Sequence, residues 1–330
     1  MKLDNVKALY VAVVLSIVVA ILSFTVPNVN AAETVRLAMQ SGLGHLPMYV
    51  IKELKLIEKY APGVKAQWTV LSSGAAMRDA MLAKQVDIGA GGVTPFIQGW
   101  GKGIQWKILS AECELPLFLN VNHERLKSIK DITPQDRIAL PSPHSIQDIT
   151  LRMAAEKEIG NPNAFVNNLV SMSHGDGMSS LMTKHTEITG HFTTPPFQYT
   201  ELKVQGIRTI LNSYDVLGGP HTTTATWAME EWVKENPSLY QAFIKAMNEA
   251  ITFINSSPQK AAEVYRNNVK SKATLEEIQK LITMPGIRFN GIPNGLMKYA
   301  QFMARTGLIK REPSNWKDMV FDNLKSGNGS

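Results

Sequence analysis

Short apolar runs alternate with longer amphipathic segments through the first two thirds of the chain. Six runs predict β-strands, at residues 35–39, 66–71, 86–89, 104–109, 117–121 and 138–140. Residues 46–60 and 75–84 have the apolar spacing of half-buried helices, and a further series of strands and helices continues to residue 211. This alternation is typical of a mostly parallel sheet covered by helices, so the sequence predicts an α/β fold.

The pattern changes from Thr223 onward. Apolar positions then recur every three or four residues, which predicts helices over residues 229–236, 239–255, 259–268, 275–283 and 295–306. The C-terminal third is therefore expected to be helical.

Two segments one hundred residues apart share a pattern. Residues 73–88 and 173–188 both start with a serine, continue with an amphipathic helix and end in a short strand. Thr94-Pro95 and Thr194-Pro195 follow them, and proline is favoured in the first turn of a helix. We interpret the two segments as equivalent units of two similar α/β lobes, whose strand ends would face a shared crevice.

The N-terminus has the features of a secretory leader. Lys2 and Lys7 precede an apolar stretch over residues 8–24, and Ala31-Ala32 offers small residues for cleavage. We expect residues 1–31 to be a cleaved signal peptide; the alternative is an uncleaved anchor, although the stretch is shorter than the roughly 20 residues that cross a bilayer. The single cysteine, Cys113, is far from the leader, which argues against lipid attachment and excludes an intrachain disulfide.

The composition is that of a folded globular protein, with 44% apolar and 19% charged residues. Lys and Arg outnumber Asp and Glu by 34 to 28, but the longest basic run is Lys310-Arg311, so we expect no nucleic-acid partner. The chain has no Gly-x-Ser-x-Gly nucleophile turn and no phosphate-binding glycine loop. We expect no enzyme activity, no cofactor and no metal site.

Four segments carry a resemblance to a known family. They are the strand at residues 35–40 with Ser41-Gly42, the stretch at 80–89, the loop at 91–95 and residues 126–132. In these segments the chain resembles the substrate-binding proteins of ABC importers, of the class that serves nitrate, taurine, aliphatic sulfonates and thiamine-pyrimidine precursors. The resemblance covers nearly all of the chain after the leader.

The resemblance implies a bilobal periplasmic-binding-protein fold of type II, with two α/β lobes, a central ligand cleft and two crossovers, near residues 120–123 and 219–224. Lobe 1 would comprise residues 32–121 and 223–330, and lobe 2 residues 122–222. The protein would be a periplasmic monomer that captures a small solute and delivers it to the transmembrane subunits of an ABC permease.

The resemblance also implies that loops at the strand-to-helix junctions hold the ligand, where helix N-termini favour anions. The candidate ligand-binding residues are Gln40, Ser41, Gly42, Ser72, Ser73, Gly92, Val93, Thr94, His144, Ser145, His174, Asp176, His191, Phe192, Thr193 and His221. Phe192 is the aromatic residue that we expect to stack on a planar ligand.

The ligand itself stays open at this point. Five histidines lie at loop or crossover positions, and a partly protonated cleft would suit an acidic solute such as a sulfonate, taurine, nitrate or a carboxylate. The segment at 191–197 departs from the sulfonate-binding members, which leaves a pyrimidine or thiamine-precursor heterocycle as the alternative. A pyrimidine-precursor synthase and a ligand-loaded sensor protein are alternatives of other classes; the synthase type has a cysteine-rich segment that this chain lacks.

Overall fold

A computed structural model describes residues 33–183, 187–270 and 273–330. The predicted signal peptide lies outside the described residues.

The described residues form two β-sheets. The first has six strands in the order β11-β4-β10-β3-β1-β2, with bounds β1 (Thr34–Met39), β2 (Lys65–Val70), β3 (Ile88–Gly92), β4 (Trp106–Glu114), β10 (Thr222–Met229) and β11 (Arg288–Phe289).

The second sheet has five strands in the order β7-β6-β8-β5-β9. Their bounds are β5 (Phe118–Val121), β6 (Arg137–Leu140), β7 (Leu169–Ser171), β8 (Ile188–Thr193) and β9 (Arg208–Asn212). Strands β6, β7 and β8 run parallel, whereas β5 is antiparallel to both of its neighbours.

Thirteen α-helices are present in the described part of the chain. They are α1 (Leu46–Glu53), α2 (Leu56–Tyr60), α3 (Gly74–Leu82), α4 (Val93–Gly101), α5 (Ile146–Ile159), α6 (His174–Met182), α7 (Phe197–Glu201), α8 (Ser213–Leu217), α9 (Glu230–Glu235), α10 (Pro237–Ser256), α11 (Pro258–Val269), α12 (Leu275–Ile282) and α13 (Leu296–Arg305). The predicted α/β class is confirmed.

The sheets are mixed and not mostly parallel as predicted. Strand β10 lies between β3 and β4 and is antiparallel to both. It was missed because the C-terminal third was expected to be helical, although four threonines among residues 222–226 favour a strand. The helices predicted after it are present, starting with α9.

The long helix predicted at residues 46–60 is interrupted. Lys55 adopts a left-handed backbone conformation with φ of 49° and separates α1 from α2. The apolar spacing continues through the break, because both helices bury residues of the same core, including Ile51 and Ile57.

The two segments that share a pattern form equivalent elements. Ser73 accepts a hydrogen bond from Ala76 N at the start of α3, and Ser173 accepts one from Asp176 N at the start of α6. Each helix is followed by a parallel strand, β3 in the first sheet and β8 in the second. The end of the second segment, residues 184–186, lies outside the described residues.

The chain passes from the first sheet to the second between β4 and β5 and returns between β9 and β10. The first passage comes a few residues before the predicted position. Strand β5, which the predicted division places in lobe 1, pairs within the second sheet. The division into lobes stays a prediction.

The core runs through the first sheet and the helices packed on it. Trp106, Trp227 and Phe96 pack together at ring-centroid distances of 5.7–6.0 Å and are fully buried. Within the described ranges, no helix has the length and hydropathy needed to cross a bilayer.

Candidate functional site

Two adjoining cavities lie where the strands of both sheets end. The loops after β1, β2 and β3 line them from the first sheet, and the loops after β6, β7 and β8 line them from the second. Clefts at the carboxyl ends of strands are the usual ligand sites of open α/β sheets. Helices α3, α4, α5 and α6 start there, so four helix N-termini turn their partial positive charge toward the cleft.

The inner cavity is small, with a volume of about 40 Å³. Amide, hydroxyl and imidazole groups line it together with two prolines, one leucine and one isoleucine. The lining residues are Gln40, Ser41, Gly42, Gly44, His45, Gly74, Gly92, Pro95, Leu117, Pro141, Ser145, Ile146, Gln147, His174, Thr194, Thr223 and Thr224.

The outer cavity is larger, with a volume of about 710 Å³. It shares Gln40, Ser41, Gly42 and His174 with the inner one. The remaining lining residues are Leu71, Ser72, Ser173, Gly175, Met178, Pro196, Phe197, Thr200, Lys203, Tyr265, Val269, Ala273 and Glu277. The Nζ atom of Lys203 lies 2.6 Å from Oε1 of Glu277, so the two charged groups in this lining neutralise one another.

A buried carboxylate stands behind the inner cavity. His45 Nδ1 lies 2.9 Å from Glu112 Oε2, and both side chains are almost fully buried. The other oxygen of Glu112 has no hydrogen-bond partner among the described residues. Because Nδ1 of His45 is engaged with Glu112, Nε2 is the ring nitrogen left for a ligand.

His174 lies at the junction of the two cavities. Its Nδ1 is 2.7 Å from the Thr193 hydroxyl, and its ring stacks on Phe197 with a centroid distance of 5.6 Å. Burial, with smaller contributions from the charges of His191 and His45, lowers the pKa of His174 to about 3. The imidazole is therefore uncharged at neutral pH.

His144 joins the two sides of the cleft. Its carbonyl accepts a hydrogen bond from the Thr94 hydroxyl at 3.0 Å, and its Nδ1 lies 2.7 Å from Gln98 Nε2. Thr94 and Gln98 belong to α4, whereas His144 precedes α5. Burial lowers the pKa of His144 from its ordinary value, so Nδ1 accepts the amide proton.

Three further candidates lie deeper in the molecule. His191 is completely buried, with Nδ1 2.5 Å from Glu201 Oε1. Phe192 is also completely buried and is absent from the lining of both cavities, whereas Phe197 lines the outer one. His221 packs edge-on against Tyr214 and Tyr299, and burial lowers its pKa to about 4.

Seven of the candidate residues line the cavities: Gln40, Ser41, Gly42, Ser72, Gly92, Ser145 and His174. The other nine do not line them: Ser73, Val93, Thr94, His144, Asp176, His191, Phe192, Thr193 and His221. Several of these support the lining, since Thr193 contacts His174 and Ser73 caps α3. Their roles in ligand binding stay predictions.

Sequence reasoning missed Gln147, Thr223 and Thr224 of the inner lining. Gln147 follows Ser145 in the first turn of α5, so the serine cap was the available signal. The two threonines reach the cleft because β10 is a central strand, which the sequence analysis did not predict.

Three of the five histidines at loop or crossover positions do not contribute charge to the partly protonated cleft that was expected. Burial lowers the pKa values of His144, His174 and His221, so these three rings supply no positive charge at neutral pH. The helix N-termini add positive potential to the lining of the inner cavity. Burial raises the pKa of Cys113 to about 12, which makes this thiol unsuited to nucleophilic chemistry. Across the described ranges, no three His, Cys, Asp or Glu side chains group as a metal site.

Comparisons with known proteins agree with this architecture. The model of the NMT1-like family matches residues 30–267. The periplasmic aliphatic sulphonate binding protein SsuA from Escherichia coli has a similar structure, with 16% identity, a TM-score of 0.65 and coverage of 88% of this chain and 92% of that one.

Two other solved structures are similar. The periplasmic nitrate-binding protein NrtA from Synechocystis PCC 6803 has 14% identity and a TM-score of 0.70, with coverage of 89% of this chain and 86% of that one. The Candida albicans CA3427 gene product, described as having the generic periplasmic binding protein fold, has 14% identity and a TM-score of 0.69, with coverage of 89% and 97%. No curated protein matches the sequence. The family match spans more than half of the chain, and the protein therefore belongs to the NMT1-like family and has the periplasmic-binding-protein fold.

Proposed function

We propose that this protein is the periplasmic solute-binding component of an ABC importer. It captures a small organic solute in the cleft between its two sheets and presents the loaded form to the permease. The observation that carries the proposal is the meeting of six strand ends and four helix N-termini at two adjoining cavities. Proteins with the same fold bind sulfonate and nitrate, as their names state.

Closure of the cleft around the solute supplies the signal for transport in this proposal. A ligand that binds the closed form better than the open form shifts the population toward the closed form. The two lobes would be residues 32–121 with 223–330, and residues 122–222. The protein would leave the cytoplasm through its cleaved leader and act as a monomer.

A thermal-shift screen tests solute binding. The chain from Ala32, which contains the compact unit Thr34–Ser330, is unfolded and refolded to remove bound solute. It is then mixed with sulfonates, carboxylates, nitrate, and pyrimidine or thiamine precursors. A solute at 100 times its Kd stabilises the folded protein by about 2.7 kcal/mol, which gives a clear rise in Tm. Absence of a shift across the whole panel contradicts the proposal.

Two further measurements test the other parts of the proposal. Recovery of the bound solute with an unchanged mass is expected of a binder and contradicts the synthase alternative. Mass spectrometry of the exported protein is expected to show a new N-terminus near Ala32, and size-exclusion chromatography a monomer.

A further inference from the structure

We propose that the cleft binds an anionic solute together with one proton, which is held by the buried pair of His45 and Glu112. This inference rests on the proposed function and deepens it, because it adds the charge of the solute and the pH dependence of its capture. It follows from the lining of the inner cavity and from a buried carboxylate oxygen without a hydrogen-bond partner among the described residues.

The lining of the inner cavity contains two ionisable side chains. Among the described residues that line it, there is no lysine, arginine, aspartate or glutamate, and the two histidines are His45 and His174. Burial lowers the pKa of His174 to about 3, so this ring is uncharged at neutral pH. His45 is therefore the lining residue through which the wall can gain or lose a charge.

The partner of His45 is a carboxylate that solvent does not reach. Nδ1 of His45 lies 2.9 Å from Oε2 of Glu112, and the exposed fraction of the Glu112 side chain is 0%. Two ionisable groups in such direct contact bind and release protons as a unit. Outside the acid range the pair is therefore either neutral, with one shared proton, or carries one negative charge.

The groups that face the pair do not change charge near neutral pH. The 3-10 turn Leu43–His45 packs against β4, α1 and β10. On β4, burial raises the pKa of Cys113 to about 12, and on α1, burial together with the charge of the nearby carboxylate raises the pKa of Tyr49 to about 12. Strand β10 contributes the hydroxyl of Thr224, which donates to the Gly44 carbonyl at 3.1 Å. A proton taken up at this wall near neutral pH therefore goes to the pair.

A second buried carboxylate on β4 has partners of its own. Oε1 of Glu114 lies 3.2 Å from Nδ2 of Asn290 and 3.4 Å from Nδ2 of Asn294, and its Oε2 lies 3.9 Å from Nη1 of Arg288 on β11. Helix α10 and the two 3-10 turns near the end of the chain also pack on β4, and the residues that they bury are apolar. The uncompensated carboxylate oxygen beside the inner cavity is thus Oε1 of Glu112.

An anion in the inner cavity and a negative charge on the pair would repel each other. This repulsion is strong because the cavity is small, at about 40 Å³, and like charges interact strongly where water is excluded. Four helix N-termini around the cleft favour an anion at the same place. A proton on the pair removes the repulsion, so the anion and the proton strengthen each other's binding by the same factor.

The sign of the pH dependence follows from this linkage. The loaded protein holds one proton more than the solute-free protein wherever the solute-free pair has lost its shared proton. The affinity for an anion therefore falls as the pH rises, by up to about tenfold per pH unit for one proton. Capture of the solute is strongest in neutral to mildly acidic surroundings, and an uncharged solute has no such dependence.

Calorimetric titration of the refolded protein from pH 7.0 to 9.5 tests the proposal. The anionic probes are nitrate, methanesulfonate and acetate, and acetamide is the uncharged counterpart of acetate. Burial lowers the pKa of His144 from its ordinary value, so this ring is uncharged throughout the range. We expect the Kd of the anions to rise with pH and that of acetamide to stay constant. Titrations in two buffers of different ionisation enthalpy should show uptake of up to one proton per anion.

Three outcomes overturn the proposal. Anion affinities that do not change with pH, or release of protons on binding, overturn it and leave solute binding intact. Binding of uncharged probes without any binding of anions has the same meaning. Failure of every probe at every pH, together with failure of the wider thermal-shift panel, overturns the proposed function as well.

A variant assigns the proton to the pair. Glu112→Gln keeps the shape of the side chain and an oxygen that accepts from His45, but cannot become negatively charged. We expect its anion affinity to vary by no more than about twofold over the range and to exceed that of the wild type about tenfold at pH 9.5. A merely structural role of Glu112 would not give tighter binding at alkaline pH.

Glu114→Gln is the matched control, because Glu114 is a buried carboxylate on the same strand and does not line either cavity. It should keep the pH dependence of the wild type. A wild-type pH dependence in Glu112→Gln, or its loss in both variants, would overturn the assignment to the pair. Ligand-free Tm values show whether each variant is folded, and if Glu112→Gln is not, the proton uptake of the wild type decides.

Discussion

Gln98 and His144 form a hydrogen bond of 2.7 Å between α4, which follows β3 of the first sheet, and the loop that follows β6 of the second sheet. His144 adopts a left-handed backbone conformation with φ of 63°, which is uncommon for a residue other than glycine. Its backbone N–H donates to Asp148 Oδ2 at 2.7 Å, and its carbonyl accepts from the Thr94 hydroxyl. Three hydrogen bonds therefore fix an unfavourable conformation at the point where the two sides of the cleft touch.

Replacing Gln98 with leucine should weaken closure. The variant leaves Nδ1 of the partly buried His144 without its donor, which disfavours the arrangement seen here. We expect solute affinity to fall about fivefold, the equivalent of about 1 kcal/mol for one hydrogen bond. Calorimetric titration gives the affinity, and small-angle X-ray scattering should show a larger radius of gyration.

The control for this change is Gln105→Leu, because Gln105 is exposed and its side chain donates to the nearby Gly103 carbonyl. Equal affinities of the wild type and the Gln98 variant would show that the bond has no part in closure.

The contact of His45 with Glu112 should couple the two residues in ligand binding. Glu112 contacts a ring that lines the inner cavity, so removal of either side chain disturbs the same contact. We expect His45→Ala and Glu112→Ala to weaken binding, and the double variant to bind about as well as the weaker single variant. The coupling should be about 1.5–3 kcal/mol, as is usual for hydrogen bonds to charged groups.

A double-mutant cycle of Kd values measures this coupling, and additive losses would refute it. Glu114→Ala is the comparison variant, since Glu114 lies on the same strand, is buried and makes its contacts with Asn290 and Asn294 instead.

His174 should make the protein less stable in acid. Its pKa is about 3 in the folded protein and about 6.5 in the unfolded chain, so between these values the unfolded chain binds a proton that the folded protein does not. The free energy of unfolding therefore decreases as the pH falls from about 6.5 toward 3. At pH 4.5 the loss due to this residue is about 2.7 kcal/mol.

Denaturant unfolding of the ligand-free protein at pH 7.5 and pH 4.5 measures the effect. His174→Gln should lose less stability than the wild type over this interval, whereas His123→Gln, at an exposed position, should lose as much. A His174→Gln profile identical to that of the wild type would count against the assignment.

His191 should matter for folding more than for binding. Its side chain is completely buried, and its partner Glu201 is buried with it. Its ring packs against Gly177, where an added Cβ would approach Nε2 to 2.5 Å. His191→Ala leaves a cavity and leaves the buried Glu201 carboxyl with Asn120 but without its histidine partner, so we expect a loss of about 3–5 kcal/mol in the free energy of unfolding.

Chemical denaturation of His191→Ala beside His123→Ala tests this expectation. A ligand-free His191 variant as stable as the wild type would contradict it.

Much of this architecture could be predicted from the sequence because local sequence signals indicate it. Ser73 and Ser173 mark helix starts by side-chain caps, and Gln40 to Gly42 directly follow a strand, which places them at the cleft. Such features depend on residues close together in the chain.

The rest depends on pairing between distant residues. Thr223 and Thr224 reach the inner cavity because β10 inserts between β3 and β4, more than a hundred residues away from either. Phe192 and Phe197 are both aromatic and only five positions apart, yet strand pairing buries the first while the second lines the outer cavity. The neutral state of His174 likewise follows from burial, which no local pattern reveals.

The central position of β10 also determines the order in which the molecule can be completed. Strands β3 and β4 are not neighbours in the sheet; β10 joins them, and it is made only after all five strands of the second sheet. A chain that emerges N-terminus first therefore exposes two unpaired strand edges until residues 222–229 arrive, and exposed edges invite pairing with other chains. The first sheet contains the first strands of the chain but is completed after the second sheet. A chain that ended before Thr222 would contain all five strands of the second sheet, whereas strands β1 to β3 of the first sheet would be separated from β4.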